Sequence, residues 1–157
     1  MSPVQKLALL FSLGLALACG RPFDVKTSPG FVELEHQAPT YQYRATSPEG
    51  VVVGVRVIDL EGDNAGDLAF WTRALMLQLR DVRGYALVES KDVKSRDGTT
   101  GKELRFGHDE DGKAFVSRLE LFVKDKRLFL FEAGGAQAQF DRYEKSVTWM
   151  QDTLLLK

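Results

Sequence analysis

The sequence predicts an α+β domain, an antiparallel sheet packed against helices in an α/β/α sandwich. Three observations carry that expectation. Between residues 41 and 133, short runs of β-branched and aromatic residues are punctuated by turn chemistry. Two other stretches, one mid-chain and one C-terminal, carry apolar stripes at helical spacing. Finally, Leu128-Phe-Leu-Phe-Glu-Ala133 is apolar on both faces, as suits a central strand covered by helices on both sides. Were one of those faces exposed, it would instead be a patch for a partner or a lipid.

The elements follow in order. Phe31-Val-Glu-Leu34 is a short first strand. Tyr41-Gln-Tyr-Arg-Ala-Thr46 alternates aromatic with polar residues, the pattern of a half-buried strand. Ser47-Pro-Glu-Gly50 is a turn, because Pro presets φ and Gly tolerates φ > 0. It leads into the valine-rich strand Val51 to Ile58, so these two strands form a hairpin. A helix follows the acidic stretch Asp59 to Asp67, with Leu68, Trp71, Leu75, Leu79 and Val82 on one face and Gly84 as its stop. Acids before it suit the positive end of its dipole, and Arg80 and Arg83 suit the other.

Tyr85 to Val93 is the next strand, and Asp97-Gly98 with Gly101 a turn. Lys102 to Phe106 is a strand, and Asp109 to Gly112 a hairpin loop ending in Asp-Gly. A long strand covers Ala114 to Val123. Lys124 to Lys126 turns it back into Leu128 to Ala133, and Gly134-Gly135 ends the sheet. A closing helix begins near Ala136, with Phe140, Tyr143, Val147, Met150 and Leu154 on its apolar face.

The N-terminus has a different character. Lys6 precedes an apolar run, Leu7 to Ala18, broken only by Ser12. At about a dozen residues it is too short to span a bilayer, which needs roughly 20. A weakly basic start, a short apolar core and small residues at its end make a secretory signal. Gly14-Leu-Ala-Leu-Ala-Cys-Gly20 holds the only cysteine of the chain. This stretch resembles the lipobox of bacterial lipoproteins, with Ala18 before the cut and Leu15 one place earlier than the family's usual leucine. The resemblance implies cleavage before Cys19 and lipid attachment to its sulfur. By the same analogy, Gly20 favours the outer membrane, with the domain facing the periplasm. Redox logic agrees: exported proteins use cysteines in pairs, so a single one at the signal junction makes sense as an acylation site. The expected organisation is a lipoprotein signal peptide at 1–18, a tether at 19–30 and one α+β domain at 31–157.

The part after the signal, about 140 residues, is one domain's worth and long enough for a core without disulfides. With 21 basic and 22 acidic residues in alternation, the chain lacks the basic stripe of a nucleic-acid binder, and no nucleic acid is expected as a partner.

The element order resembles the PsbP-like superfamily, a sheet sandwiched by helices. The stretches that carry the likeness are Tyr41 to Val57, Gly101 to Phe106, Arg118 to Ala133 and the last helix with Trp149. The superfamily includes photosystem extrinsic proteins, Ran-binding relatives and bacterial lipoproteins. It implies accessory or binding roles more than catalysis.

Three clusters invite site readings. Asp59, Glu61, Asp63, Asn64 and Asp67 offer clustered oxygens to a cation. An EF-hand would need Gly at Asn64 and Glu at Phe70, so a helix cap within a solvated loop is the better account. His108 with Asp109, Glu110 and Asp111 sits at a tight turn, where Asp and Gly serve geometry; His36 has no partner in sequence. Gly134-Gly135 before a helix lacks the lysine and spacing of a phosphate loop. No catalytic residue, metal site or cofactor is assigned. Cys19 is the one site residue, with the membrane as its partner. The leading expectation is a non-catalytic envelope lipoprotein, an accessory or assembly subunit with an envelope protein partner. Its alternative is a periplasmic small-molecule or lipid-binding module, which requires an apolar cavity between sheet and helix with a few convergent polar groups. An enzyme would need His36 or His108 gathered with carboxylates in a cleft.

Overall fold

The computed structural model describes residues 20–35, 39–63 and 65–157. Within them the chain runs β1 (Phe23–Asp24), β2 (Val32–Glu33), β3 (Tyr43–Thr46), β4 (Val52–Asp59) and α1 (Leu68–Leu77). A π-helical segment, Gln78–Val82, extends α1. Then come β5 (Ala86–Lys94), β6 (Thr100–Glu110), β7 (Lys113–Lys124), β8 (Arg127–Ala136), α2 (Gln137–Asp152) and β9 (Leu155–Leu156). Seven strands form one antiparallel sheet in the order β2-β3-β4-β8-β7-β6-β5.

Strand alternation divides the sheet's residues between two cores. Val53 and Val55 of β4, Phe122 of β7 and Phe129 and Phe131 of β8 face α2, with Phe140, Val147 and Met150 of the helix packed on them. Leu104, Phe106, Leu119, Leu121, Leu128 and Leu130 face the other way, toward Leu68, Trp71, Leu75 and Leu79 of the α1 side. The architecture is therefore an α+β sandwich with one helical layer on each face of a central sheet. Both faces of β8 are covered, as its alternating Phe and Leu require.

The hairpins obey their turn residues. Asp111 (φ 51°) and Gly112 (φ 75°) make a two-residue connection between β6 and β7. Asp125 (φ 50°) and Lys126 (φ 56°) make another between β7 and β8. Two successive positive φ values match the right-handed twist of the flanking strands.

Several expectations need correction. Residues 19–30 are not a free tether in their described part. Phe23 is fully buried, and β1 pairs with β9 at Phe23↔Leu156 and Asp24↔Leu155. The Lys26 amide donates to Thr153 Oγ1 at 2.9 Å, and the Lys157 amide donates to the Pro22 carbonyl at 2.9 Å. The domain thus includes the segment from about residue 21, because Phe23 is an apolar group that the C-terminal strand can cover. Gly134-Gly135 does not end the sheet: Gly134 pairs with Ser117 and Gly135 with Val116 inside β8. A Cβ on Gly134 would lie 3.0 Å from the Val116 carbonyl oxygen, so these glycines serve close strand packing and not a turn. Val82 leaves the α1 face and is 76% exposed, because the wider i→i+5 winding of the π-helical segment turns its last residue off the stripe.

Candidate functional site

The two helices sit on the sheet differently. α2 buries Phe140, Val147 and Met150 completely, each worth roughly 1.5–3 kcal/mol before entropy. α1 buries none of its residues fully, although Trp71 and Leu75 form its apolar stripe. It rests across β6 and β7, toward one side of the sheet. Beside it β3, β4 and the Glu132–Gly134 end of β8 are only partly covered: Ile58 is exposed and Val52, Arg56, Glu132 and Gly134 are half-buried, whereas Leu128 and Leu130 are buried. A groove of about 640 Å³ runs in that gap, within the range of about 300–1,000 Å³ usual for small-molecule sites.

Strand register gives the groove its order. On the sheet side, Ile58 of β4 lies opposite Leu128 of β8, then Arg56 opposite Leu130, then Gly54 opposite Glu132, then Val52 opposite Gly134. Along the helix wall, Trp71, Ala74 and Leu75 are followed by Gln78 and Leu79, and then by Arg83 and Tyr85. One end is therefore aliphatic and aromatic, made by Ile58, Leu128, Trp71 and Leu75, and Arg56 opposite Leu130 stands midway. Toward the other end stand Arg44, Glu132, Gln78, Arg83, Tyr85 and Ser117.

The polar floor is a built cluster. Arg56 donates Nε and Nη2 to the two oxygens of Glu132 at 2.9 and 2.7 Å, a bidentate pair that fixes both planes. The Tyr41 ring lies over Gly54, where an added Cβ would be 2.6 Å from its carbons. Its hydroxyl lies near Glu132, and the Arg56 guanidinium stands 5.3 Å from its ring centre. Partial burial, then the nearby Glu132 charge, raise the Tyr41 hydroxyl above its ordinary value. Burial works against the Arg56 charge, but Glu132 outweighs it and raises the guanidinium further. Gly54 is the residue that permits this: without a side chain, the strand can carry an aromatic ring flat on its face. Arg44 stacks 5.8 Å from the same ring. Neither Arg44 nor Arg83 has an ion pair among the described residues.

The residues singled out from the sequence lie elsewhere. Cys19 and His36 are outside the described residues, as is Asn64 of the acidic loop. Among the described residues, no group of three or more His, Cys, Asp or Glu could hold a metal. Asp67 caps α1, its Oδ1 accepting from the Phe70 amide at 3.1 Å. His108 does not gather with the acids beside it. It stacks on Tyr85 at 4.1 Å between ring centres and on Phe115 at 5.4 Å, because alternation along β6 turns it toward those rings. Tyr41, Arg56 and Glu132 carry no local sequence signal, since register alone makes them neighbours.

A second polar cluster is buried beneath α2. Arg118 donates to Glu120 Oε1 at 3.0 and 2.6 Å and to Thr148 Oγ1 of α2 at 2.9 Å. Its Nε is also 3.0 Å from Glu103 Oε2. Burial drives the Glu120 carboxyl upward; Arg118 offsets part of this and the Glu103 carboxylate adds to it, leaving Glu120 pushed up to about 8. Lys91 reaches Glu103 from the surface at 3.2 Å.

No family model matches the sequence, and no curated protein matches it. Solved structures do. The chain is similar to LpqN of Mycobacterium tuberculosis, described as involved in cell envelope biogenesis, with TM-score 0.67, 7% identity, and 86% of this chain and 83% of that one covered. It is similar to the cyanobacterial PsbP (CyanoP) of Synechocystis sp. PCC 6803, with TM-score 0.56, 11% identity, and 92% and 99% of the two chains covered. A protein of unknown function from Pseudomonas aeruginosa matches with TM-score 0.53 at 14% identity, over 89% and 88%. At such identities the likeness is one of architecture, and the architecture of this chain is PsbP-like.

Proposed function

We propose that this protein is a non-catalytic binding module of the cell envelope that holds an apolar small molecule or lipid in the groove beside α1. The incomplete burial of the α1 stripe beside a groove lined by the half-covered residues of β3 and β4 carries this reading. A helix whose apolar face is only half covered leaves area for a ligand to cover, at about 25 cal/mol per Å². Arg56 and Glu132 on the floor are already paired with each other, so they orient a ligand more readily than they attack one. Attachment to the membrane through a lipidated Cys19, with the domain on the periplasmic side of the outer membrane, is part of the same proposal. It rests on the lipobox-like stretch. Among the described residues, no helix is long and apolar enough to cross a membrane.

The test is native mass spectrometry of the protein purified gently from envelopes, beside a Leu75→Arg variant that places a charge in the apolar half of the groove. A bound lipid or small molecule on the native protein, lost in the variant, is the expected result. A bare native protein that also takes up no added acyl compound would remove the reading. Labelling with a palmitate analogue, abolished by Cys19→Ser, checks the anchor separately.

A second reading is an accessory or assembly subunit of a larger envelope complex; what supports it is the lipobox-like stretch together with a likeness to a protein involved in cell envelope biogenesis. In-cell crosslinking separates the two: a single envelope protein captured by the native chain and lost with Cys19→Ser supports the subunit reading.

A further inference from the structure

The groove has a direction, and its charge has a sign. Its apolar half, between Ile58 and Leu128 on the sheet and Trp71 and Leu75 on α1, is bounded by Arg56, which lies opposite Leu130. Its ionised residues are Arg44, Arg56, Arg83 and Glu132. Glu132 is spent on Arg56 in a bidentate pair. What remains for a ligand is two guanidinium groups, Arg44 and Arg83, with no acidic partner among the described residues. They stand on opposite walls, one on β3 and one just beyond the π-helical segment. This cationic excess sits on a chain whose net charge is −1, so it is a local property of the groove. Guanidinium groups favour carboxylate and phosphate oxygens.

We infer that the groove's ligand is a lipid amphiphile with a single anionic headgroup, its acyl part along Trp71 and Leu75 and its head between Arg44 and Arg83. The inference rests on the groove being a ligand site at all. It adds the ligand's charge, its orientation and the residues that select it. Arg56 and Glu132 serve differently: their mutual pair, braced by Tyr41, presents a fixed polar step at which the apolar run ends.

The experiment uses the full chain carrying Trp149→Phe, which leaves Trp71 as the single tryptophan and so a reporter inside the groove. Its emission is followed on titration with three compounds below their micelle concentrations: lysophosphatidylglycerol, a monoacylglycerol of the same chain length, and glycerol phosphate. The anionic amphiphile is expected to bind about tenfold or more tightly than the uncharged one, since charge-assisted hydrogen bonds are among the stronger ones. Arg44→Gln with Arg83→Gln is expected to erase that difference while leaving monoacylglycerol binding intact, which also reports that the variant is folded. Equal binding of both amphiphiles, or a preference that survives the double substitution, would overturn the headgroup inference and leave the groove reading standing. Glycerol phosphate binding as tightly as the amphiphile would overturn it in favour of a soluble anion. No response of Trp71 to any of the three would remove the groove reading itself.

Discussion

At Asp97 a single carboxylate holds three parts of the chain. Its Oδ1 accepts from Ser95 Oγ at 2.7 Å and from the Leu156 amide at 2.9 Å; its Oδ2 accepts from Thr99 Oγ1 at 2.6 Å and from Lys124 Nζ at 3.2 Å. Burial raises the Asp97 carboxyl, but these donors outweigh it and hold the group well below the ordinary carboxylate range. A lowered folded value means that the charged form stabilises the fold at neutral pH. That contribution is lost as pH falls below about 4 toward the folded value. Asp97→Ala should therefore cost about 2 kcal/mol at pH 7 in urea unfolding, and progressively less in acid. Glu120 has the opposite sign. Its folded value is raised to about 8, so the fold holds a proton that the unfolded chain releases between about 4.5 and 8. Stability from this group is full below about 4.5 and declines as pH rises through 8. Urea midpoints for the native chain should fall between pH 5 and pH 9, and Glu120→Gln should flatten that slope; an unchanged slope would show that Glu120 is not the group responsible. Little of this is legible in sequence. Ser95-Arg-Asp-Gly98 reads as a turn, but the Leu156 amide arrives from the far end of the chain. Glu103, Arg118 and Glu120 read as alternating strand charges, and only register and α2 show that they are buried together.

Among the elements, the glycines within strands separate tolerance from necessity. A Cβ at Gly101 would meet the Leu121 carbonyl oxygen at 2.4 Å and the Phe122 ring at 2.4 Å, one of them backbone. At Gly54 its close contacts, at 2.6 Å, would be with the Tyr41 ring, on a half-buried side chain that can swing away, and the Tyr43 carbonyl oxygen would lie at 3.4 Å. Gly101→Ala should cost about 3 kcal/mol, and Gly54→Ala nearer 1 kcal/mol. The Gly54 variant should also move the Tyr41 ring away from Arg56 and Glu132, visible as a change in tyrosine titration. A reversed order of the two stabilities would contradict these packing distances. Most elements were readable because their periods are strong: the valine-rich β4, the two-sided β8 and the stripe of α2 each allow one placement. The unequal seating of the helices was not. α1 and α2 show similar stripes in sequence, and only the finished sheet reveals that α1 lies over one side of it and leaves a groove. The π-helical segment was equally hidden, because an inserted residue changes winding without changing composition. β5, at the sheet edge, places Glu89, Lys91, Asp92 and Lys94 along nine residues with a bulge near Val88. Charge and irregularity there discourage pairing with another chain.

For the molecule as a whole, the decisive contact joins its two ends. If residues 19–30 were a tether, Phe23→Ala would change stability by nothing measurable. With Phe23 buried against β9 and the closing core, it should cost about 3–5 kcal/mol. Thermal unfolding of that single variant decides between the two. The segment reads as a tether because Pro22, Pro29 and Gly30 dominate it, whereas its role depends on a strand more than a hundred residues away. The pairing of β1 with β9 also sets a leash. Four residue steps separate Cys19 from Phe23, so an anchor on Cys19 would have at most about 14 Å of extended chain before the folded body begins. So anchored, the domain would patrol the surface of its bilayer, its reach set by lateral diffusion. Lengthening the leash with inserted residues after Gly20 would then change what it can meet without altering what it can hold.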